Sequence, residues 1–377
     1  METSEKIFAP SKYIKDFLEL RNWTQADLAM VLGWLPIDVS NLILRKKKLT
    51  PEVAKRLAAV FENTTADFWT EVEAKFVLSQ STDIDEKFLK RSELFKRFPV
   101  IALMKRGWIN KTDDIEELTN EVLTFFKIKS IDDTPKLPHA ARKSTHYAST
   151  TMEQFAWMLR AYTLAPAVMA KAFSTTALDK ALEQIKLLST DVEEIRHMPK
   201  ILAEAGVRLI VIEPVPNSKI DGVTFWLDKS SPVIVLSLRF DRVDSFWHTL
   251  LHELAHVRNR DGQDFPVIDE DMFGDNLEEK PEKERVADYF ASHFFIPEGK
   301  LDHFISRVHP LYSDTKIQGF AARWQVHAGI VVGQLHHKHR LTGKGIPFSH
   351  QRKFLEGIRE TITGSALTDG YGHRPLI

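Results

Sequence analysis

The stretch FWHTLLHELAH, residues 246–256, constrains the fold of this chain more than any other. Its leucines recur at helical spacing, which predicts a helix over residues 244–257 with one apolar side. His252 and His256 are four residues apart, so they share one face of that helix and can offer two imidazoles to one metal ion.

Glu253 completes a His-Glu-x-x-His pattern. At this position a carboxylate reaches a metal-bound water rather than the metal. Zinc lowers the pKa of such a water to about 7, and the carboxylate takes its proton as the water attacks a carbonyl. Fifteen histidines among 377 residues make a chance His-x-x-x-His pair unsurprising, but a glutamate directly after the first histidine makes chance a poor explanation.

A second helix, predicted over residues 281–295, offers the third protein ligand that catalytic zinc usually has. Glu284 and Asp288 lie four apart on one face of it. We expect Glu284 to bind the metal and Asp288 to accept a proton from the far nitrogen of a ligand imidazole. Glu282 is the rival ligand, although it lies off that face. The alternative is a solvated glutamate and a surface aspartate.

Three β-branched runs precede these helices, at residues 207–213, 223–227 and 233–238, and turn residues separate them. They predict three strands. We expect a substrate peptide to need a fitting strand beside residues 233–238.

Several segments carry a resemblance to a known family: residues 233–242, Phe246-Trp ahead of the histidines, Glu284-x-x-Ala-Asp288-x-Phe-Ala followed by Ile296-Pro297, and residues 324–335. With them, residues 200–335 resemble the ImmA/IrrE family of metallopeptidases. The resemblance implies a zincin-like fold with Glu284 as third zinc ligand. It also implies, from characterised relatives, cleavage of a transcriptional repressor.

Two further histidines have open roles. His248 lies one turn before the motif, where packing or support of the ligands is the favoured interpretation. His327 lies in the segment that resembles the family's later motif and is a candidate donor to the oxyanion of a tetrahedral intermediate. A structural histidine with satisfied hydrogen bonds is the alternative for His327.

Residues 12–78 are predicted to form consecutive short helices, with N-caps at Thr24 and Thr50 and a helix end at Gly33. The patterns TQxxLAxxLG (24–33) and LTPExAxRLA (49–58), with Phe68-Trp69 after them, resemble an XRE-type helix-turn-helix of the HigA antitoxin sort.

This second resemblance implies DNA contacts. The residues it assigns are Gln25 to phosphate, Ser40, Asn41 and Arg45 to bases, and Arg45, Lys46, Lys47 and Lys48 as a phosphate patch. Residues 11–60 hold nine Lys and Arg against five Asp and Glu, a modest positive excess. The pattern departs from the family at Pro36, Ile37 and Asp38. A dimerisation or docking module, suited by the apolar Trp34, Leu35 and Ile37, is therefore the alternative.

Composition limits the remaining possibilities. The formal net charge is -1, with 43% hydrophobic and 27% charged residues, as in ordinary soluble globular proteins. The absence of cysteine excludes disulfides, thiolate nucleophiles and cysteine zinc ligands. We see no signal peptide and no run of about 18 apolar residues, so we expect a cytoplasmic protein without a membrane partner.

These features predict an α-rich multidomain protein. The expected parts are a helix-turn-helix (1–80), a helical connector (81–195), an α+β zincin-like metallopeptidase domain (196–345) and a tail that is partly ordered at best (346–377). The expected function is that of a zinc-dependent endopeptidase that binds DNA and regulates transcription by limited cleavage of a repressor or antitoxin-like protein. A homodimer is a candidate assembly, and the sequence leaves the oligomeric state open. The alternative is a DNA-binding, antitoxin-like regulator whose metal site is structural or sensory.

Overall fold

The computed structural model describes residues 7–81, 84–137, 150–263, 266–270 and 281–375. The chain divides into two compact units, Met1–Phe88 and Leu89–Ile377. Within the described ranges, no single helix combines the length and apolar character that a membrane span requires. Among these residues, one pair of helices, Gln25–Leu32 and Pro36–Ile43, has sufficient length and apolar character when taken together. The two helices are bent by 114° relative to each other.

The first unit is helical. Its helices are α1 (Pro10–Leu20), α2 (Gln25–Leu32), α3 (Pro36–Ile43), α4 (Pro51–Val60) and α5 (Ala66–Gln80). Thr24 caps α2 in a reciprocal capping box with Asp27, Gly33 ends that helix with a φ of 68°, and Thr50 caps α4. These ends agree with the predicted ones, because the caps satisfy backbone groups that the helix leaves unpaired. Trp69 lies fully buried in the core of the unit.

The second unit begins with helices and continues into a sheet. Its helices, counting one that starts just before it, are α6 (Glu86–Arg97), α7 (Val100–Arg106), α8 (Ile115–Phe126), α9 (Met152–Leu164), α10 (Thr175–Leu188), α11 (Met198–Glu204), α12 (Val243–Asn259), α13 (Glu282–His293), α14 (Lys300–Val308), α15 (Asp314–Trp324), α16 (Ala328–Thr342) and α17 (Arg359–Thr363). Short 3-10 helices span Ala165–Ala167, Val192–His197 and Arg352–Phe354. The prediction of an α-rich protein is confirmed.

The sheet is small and mixed. Its strands are β1 (Arg208–Ile212), β2 (Ile220–Trp226), β3 (Pro232–Leu236), β4 (Val267–Glu270) and β5 (Leu367–Asp369), in the order β4-β2-β3-β1-β5. β1 pairs in parallel with β3 and β5, whereas β2 pairs antiparallel with β3 and β4. Helices cover both of its faces: Leu209 and Val211 of β1 pack with α10, α11 and α12, and Ile210 and Ile212 pack with α7, α8 and α9.

The sheet order corrects one expectation. A substrate peptide cannot lie beside residues 233–238, because β3 is paired on one side with β1 and on the other with β2. Within the described residues, the edges of the sheet are β4 and β5. β4 lies in a segment for which the sequence predicts no strand.

The connector and the tail differ from what we expected. Helix α9 packs on the sheet, and the buried Nε1 of Trp157 donates to the carbonyl of Ile212 over 3.1 Å. The tail supplies β5, so the expectation of partial order is wrong for residues 346–375. Neither 195 nor 345 is a boundary between compact units. The reason is that both segments complete the layers around the sheet, which no local pattern reveals.

Buried charge fixes β5. Asp369 is 2% exposed, and its Oδ2 accepts from Arg160 Nε at 2.5 Å and from Trp108 Nε1 at 2.9 Å. These bonds join the end of β5 to α9 and to the loop after α7.

We predict that Asp369→Ala lowers the free energy of unfolding by about 3 kcal/mol, because it leaves a largely buried guanidinium without its carboxylate. Asp132→Ala is the matched control: it removes an exposed partner of Arg97 and is expected to cost less than about 1 kcal/mol. Urea unfolding followed by circular dichroism measures both. Equal destabilisation by the two substitutions contradicts the role of Asp369.

Candidate metal centre

The metal centre is built on α12, which is enclosed on several sides. From Phe246 to Val257 every residue except His248 is buried. The helix packs against β2 and β3, and also against α13 and α16. Ala287 and Ala291 of α13 are buried, and their small side chains let the two helices approach closely. The apolar residues of α12 therefore hold its polar face in a fixed position.

Two imidazoles and one carboxylate meet between α12 and α13. The Nε2 atoms of His252 and His256 are 3.1 Å apart. Oε2 of Glu284 lies 3.2 Å from Nε2 of His252 and 3.4 Å from Nε2 of His256. Both histidines are buried, and Glu284 is partly buried. One ligand atom from each of the three residues lies within 4.8 Å of the others, so the group could hold a metal ion.

Two further carboxylates face the far side of the imidazoles. Oδ1 of Asp288 lies 3.0 Å from Nδ1 of His252, and Oδ2 of Asp261 lies 3.0 Å from Nδ1 of His256. Such partners fix the tautomer and ring orientation of metal-binding histidines.

The donor set suits a cation. Since each Nδ1 faces a carboxylate, the ring protons belong on the Nδ1 atoms, which leaves lone pairs on the two Nε2 atoms. These lone pairs and the Glu284 carboxylate converge on one point, where they repel each other unless a positive charge lies between them. Two imidazoles and a carboxylate are a ligand set that zinc accepts in catalytic sites.

The electrostatics agree with an anionic ligand. Burial acts to raise the pKa of Glu284, but hydrogen bonds with His252 and His256 lower it to about 2. Burial likewise acts to lower the pKa of His256, yet the hydrogen bond with Glu284 and the nearby charge of Glu253 raise it above its ordinary value. Glu284 is therefore ionised at neutral pH, and a proton on His256 provides, in the absence of a metal ion, the positive charge that the converging donors require.

The side chain of Glu253 packs against the sheet and is not one of the three converging ligands. Its carboxylate is fully buried, and Oε2 accepts from Thr224 Oγ1 of β2 at 2.5 Å. Gly222, two residues earlier on β2, leaves room for it: a Cβ there would lie 2.4 Å from Glu253 Oε1. The strand thus positions the carboxylate beside the metal group without making it part of that group.

The remaining sequence candidates lie as follows. Glu282 is exposed at the start of α13, outside the group that converges. The ring of His248 lies 6.4 Å from that of His252, in a stacked arrangement. Asp261, Gly222 and Thr224 belong to no motif that identifies them from the sequence. Asp261 lies five residues beyond His256, and the other two residues meet Glu253 only through the packing of α12 on β2.

The side chain of His327 stabilises the beginning of a helix. It is the N-cap of α16, where its Nδ1 accepts from the amide of Gly329 over 3.1 Å. Its Nε2 lies 3.2 Å from Oε1 of Glu356. No described contact joins it to His252, His256 or Glu284, so its assignment as an oxyanion donor stays a prediction without geometric support.

Comparison with known protein families agrees with this geometry. Residues 203–336 match the family model of the IrrE N-terminal-like domain, Peptidase_M78. The matched range runs from just before β1 into α16, so it includes both metal-site helices. No curated protein matches the chain at a significant level. The match supports a metallopeptidase-type domain, whereas the fusion to an XRE-type helix-turn-helix stays a prediction.

The predicted DNA contacts lie on the first unit. Gln25 is exposed at the start of α2, and Ser40 and Asn41 are half-buried on α3. Arg45 pairs with Glu73 and lies over the ring of Phe76, at 4.7 Å from its centroid.

The other three basic residues of the predicted patch differ in their surroundings. Lys47 pairs with Asp38 at 2.9 Å and lies over the ring of Trp34. Lys46 and Lys48 are exposed. The patch is thus partly neutralised by carboxylates of its own unit.

We predict one tightly bound zinc per chain, and we expect His252→Ala and Glu284→Ala to abolish its retention. Asp288→Asn and Asp261→Asn should weaken zinc binding by about 10- to 100-fold, because each leaves an imidazole without its orienting carboxylate. Asp179→Asn, in an exposed pair with Arg258, is the matched control and should bind like the wild type. Metal analysis and a chelator competition measure these values. A zinc content near zero after zinc addition and desalting contradicts the site.

Proposed function

We propose that this chain is a zinc-dependent endopeptidase that acts in transcriptional regulation by limited cleavage of a repressor or antitoxin-like protein. The observation that carries the proposal is the buried Glu253 carboxylate, held by Thr224 beside His252, His256 and Glu284. The substrate class follows from the resemblance to the ImmA/IrrE family.

The chemistry divides between the ion and the protein. When bound, zinc supplies Lewis acidity that polarises a carbonyl and acidifies water. Glu253 accepts the proton of the attacking water and passes it to the leaving amine. Thr224 donates to one oxygen of this carboxylate, which fixes the direction in which the other oxygen faces. Asp288 and Asp261 hold the imidazoles in the tautomer that leaves Nε2 free for the ion.

A structural or sensory metal site explains less of the geometry. Structural zinc usually has four protein ligands, and within the described residues three converge. Metal binding alone needs no glutamate at position 253. Yet β2 carries a glycine at 222, where any side chain would collide with that carboxylate, and a hydroxyl at 224 that bonds it. These two residues favour the hydrolytic function.

The sheet suggests where a substrate backbone binds. β4 pairs with β2 so that Val267 lies opposite Thr224 and Asp269 lies opposite Gly222, the two residues that contact Glu253. Within the described residues, the other side of β4 has no strand. A peptide added as a strand along β4 would gain affinity from main-chain hydrogen bonds. It would lie two strand spacings, roughly 10 Å, from the β2 residues that contact Glu253.

DNA binding by the first unit is the second part of the proposal. The exposed Lys46 and Lys48 support phosphate contacts, whereas the pairing of Arg45 with Glu73 and of Lys47 with Asp38 opposes them. Three exposed apolar side chains favour the alternative docking module: Met30 (79%) on α2, Leu35 (67%) at the N-cap of α3 and Ile37 (60%) on α3. The salt dependence of duplex binding distinguishes DNA binding from the docking module.

We predict that Glu253→Gln retains zinc but loses cleavage of the cellular substrate by about 10² to 10⁴, because the attacking water keeps its proton. Wild type and the variant are expressed side by side, and the repressor pool is compared by quantitative proteomics. Glu282→Gln, an exposed carboxylate on the neighbouring helix, is the matched control and should cleave like the wild type. If every change seen with the wild type persists with Glu253→Gln, hydrolysis is not the function.

For the first unit, we predict duplex binding by the full chain that weakens steeply with salt. Lys46→Ala and Lys48→Ala should each reduce the salt slope by roughly one and lower affinity evenly across sequences. Lys75→Ala, an exposed lysine paired with Glu71 on α5, serves as the control. Fluorescence anisotropy at 50–300 mM salt, about the range where phosphate contacts dominate, measures the slopes. The absence of binding at the lowest salt supports the docking module instead.

A further inference from the structure

Three basic side chains line one cavity of about 270 Å³ between α14 and α15. Lys300 and Arg307 come from α14, and Arg323 comes from α15. Among the described residues that line this cavity there is no carboxylate. The volume lies just below the range of about 300–1,000 Å³ that is typical of ligand pockets, so the space suits a small molecule.

Helical spacing places the basic residues of α14 on one face. Lys300, His303 and Arg307 are three and four residues apart, so their side chains project from the same side of the helix. All three line the cavity, together with Ser306. Lysine and arginine side chains donate hydrogen bonds and accept none, and a serine hydroxyl can donate as well. The cavity therefore suits a ligand that is rich in acceptors.

The acidic residues of the two helices are paired with other cations. Helix α14 contains one carboxylate, Asp302, which pairs with Lys338 of α16 at 2.9 Å. Helix α15 also contains one, Asp314, which pairs with Lys353. Neither carboxylate lines the cavity. The positive charge at the cavity is therefore not neutralised by these two helices.

The three cations also have no carboxylate from elsewhere. Within the described ranges of the chain, no salt bridge involves Lys300, Arg307 or Arg323. Nε of Arg307 donates to the main-chain carbonyl of His303 over 3.3 Å. Like charges around a shared space repel one another, and an anion between them removes that repulsion. The charge of the site thus selects a negatively charged ligand.

The number of positive charges indicates the kind of anion. A phosphate monoester carries a charge of about −1.5 to −2 at neutral pH and has three strong acceptor oxygens, whereas a carboxylate carries a single charge. Arginine also matches the geometry of phosphate, because its guanidinium group offers two parallel donors. Three cations, two of them arginines, therefore favour a phosphate monoester over a carboxylate.

The base of the cavity is aromatic. Phe320 is buried and Trp324 is half-buried, and both line the cavity. Phe320 stacks on Phe304 with 4.3 Å between the ring centroids, and it meets Trp324 edge to face at 6.5 Å. These contacts hold the two rings in place. Their carbon surface suits the organic part of a phosphate ester.

We propose that the cavity between α14 and α15 binds a small molecule that carries a phosphate monoester, with Lys300, Arg307 and Arg323 as its charge partners. None of the metal-site residues His252, His256 and Glu284 lines the cavity. The site is therefore separate from the proposed peptidase function, and binding to it requires neither zinc nor hydrolysis.

The test uses the full chain and follows the signals of each probe by ¹H NMR titration at low salt. Phenyl phosphate is the dianionic probe, and phenyl sulfate has nearly the same shape with a single charge. We expect phenyl phosphate to bind about fivefold more tightly than phenyl sulfate, because its extra charge strengthens the hydrogen bonds with the cations. Removal of zinc by a chelator should leave the affinity for phenyl phosphate unchanged.

Two natural phosphate esters distinguish the possible sources of the ligand. Adenosine monophosphate and ribose 5-phosphate share the phosphate and the sugar and differ in the base. Both are expected to bind. A higher affinity for adenosine monophosphate identifies a nucleotide, because the base then contributes contacts, whereas equal affinities identify a phosphate ester without a base.

Three variants each remove one charge at an exposed position, where folding is little at risk: Lys300→Gln, Arg307→Gln and Arg323→Gln. Each should weaken phenyl phosphate about three- to tenfold, and the double variant Arg307→Gln/Arg323→Gln should bind it more weakly still. Lys105→Gln is the matched control for Lys300→Gln. It removes another exposed lysine, from α7 on the other face of the sheet, and should bind phenyl phosphate like the wild type.

Four results would overturn the proposal. The first is that phenyl phosphate does not bind at millimolar concentration, or binds no more tightly than phenyl sulfate. The second is that the double variant binds it as the wild type does, or that binding disappears with zinc, which places the probe at the metal. The third is equal weakening by Lys105→Gln and Lys300→Gln, which reflects the overall charge of the protein. The fourth is that only a short DNA duplex binds in a manner that Arg323→Gln weakens, which assigns these cations to nucleic acid.

Discussion

The packing of α12 between the sheet and α13 is the constraint on which the metal centre depends. An α-helix places residues four apart on one face, so His252 and His256 are neighbours by geometry alone. Their ring orientation, however, comes from outside the helix. Asp288 of α13 and Asp261 after α12 each face one Nδ1, and Glu284 faces both Nε2 atoms. Five ionisable groups on three segments thus share one buried volume.

This arrangement is unfavourable without a positive charge, because it gathers acceptors in a place where partial burial restricts their solvation. The low pKa of Glu284 shows how far the two imidazoles already stabilise its anion. A cation in the same place would stabilise all three donors at once. If the centre binds zinc as proposed, the bound ion is expected to add to the stability that the packing of α12 already provides.

The sequence predicted those parts of the molecule that depend on local pattern. Thr24 and Gly33 bound α2 as expected, the runs around β1, β2 and β3 are strands, and the four-residue spacing of Glu284 and Asp288 puts both beside the histidines. The sequence did not predict contacts between distant segments. Gly222 and Thr224 have no recognisable motif, since their meaning depends on Glu253 arriving from a helix 29 residues beyond Thr224.

The dependence on contacts between distant segments also explains why the sequence did not predict the order of the tail. β5 has three residues and no periodicity, and it becomes a strand only by pairing with β1, where Ile210 lies opposite Leu367. That pairing has a consequence for how the protein is made. At about 5–20 residues per second, a ribosome needs roughly 8 to 30 seconds between residue 210 and residue 367. During that interval the outer edge of β1 has no partner strand, and unpaired strand edges are templates for aggregation. The nascent chain therefore depends on the early helical layers, or on a chaperone, to shield this edge until synthesis reaches the residues that close the sheet.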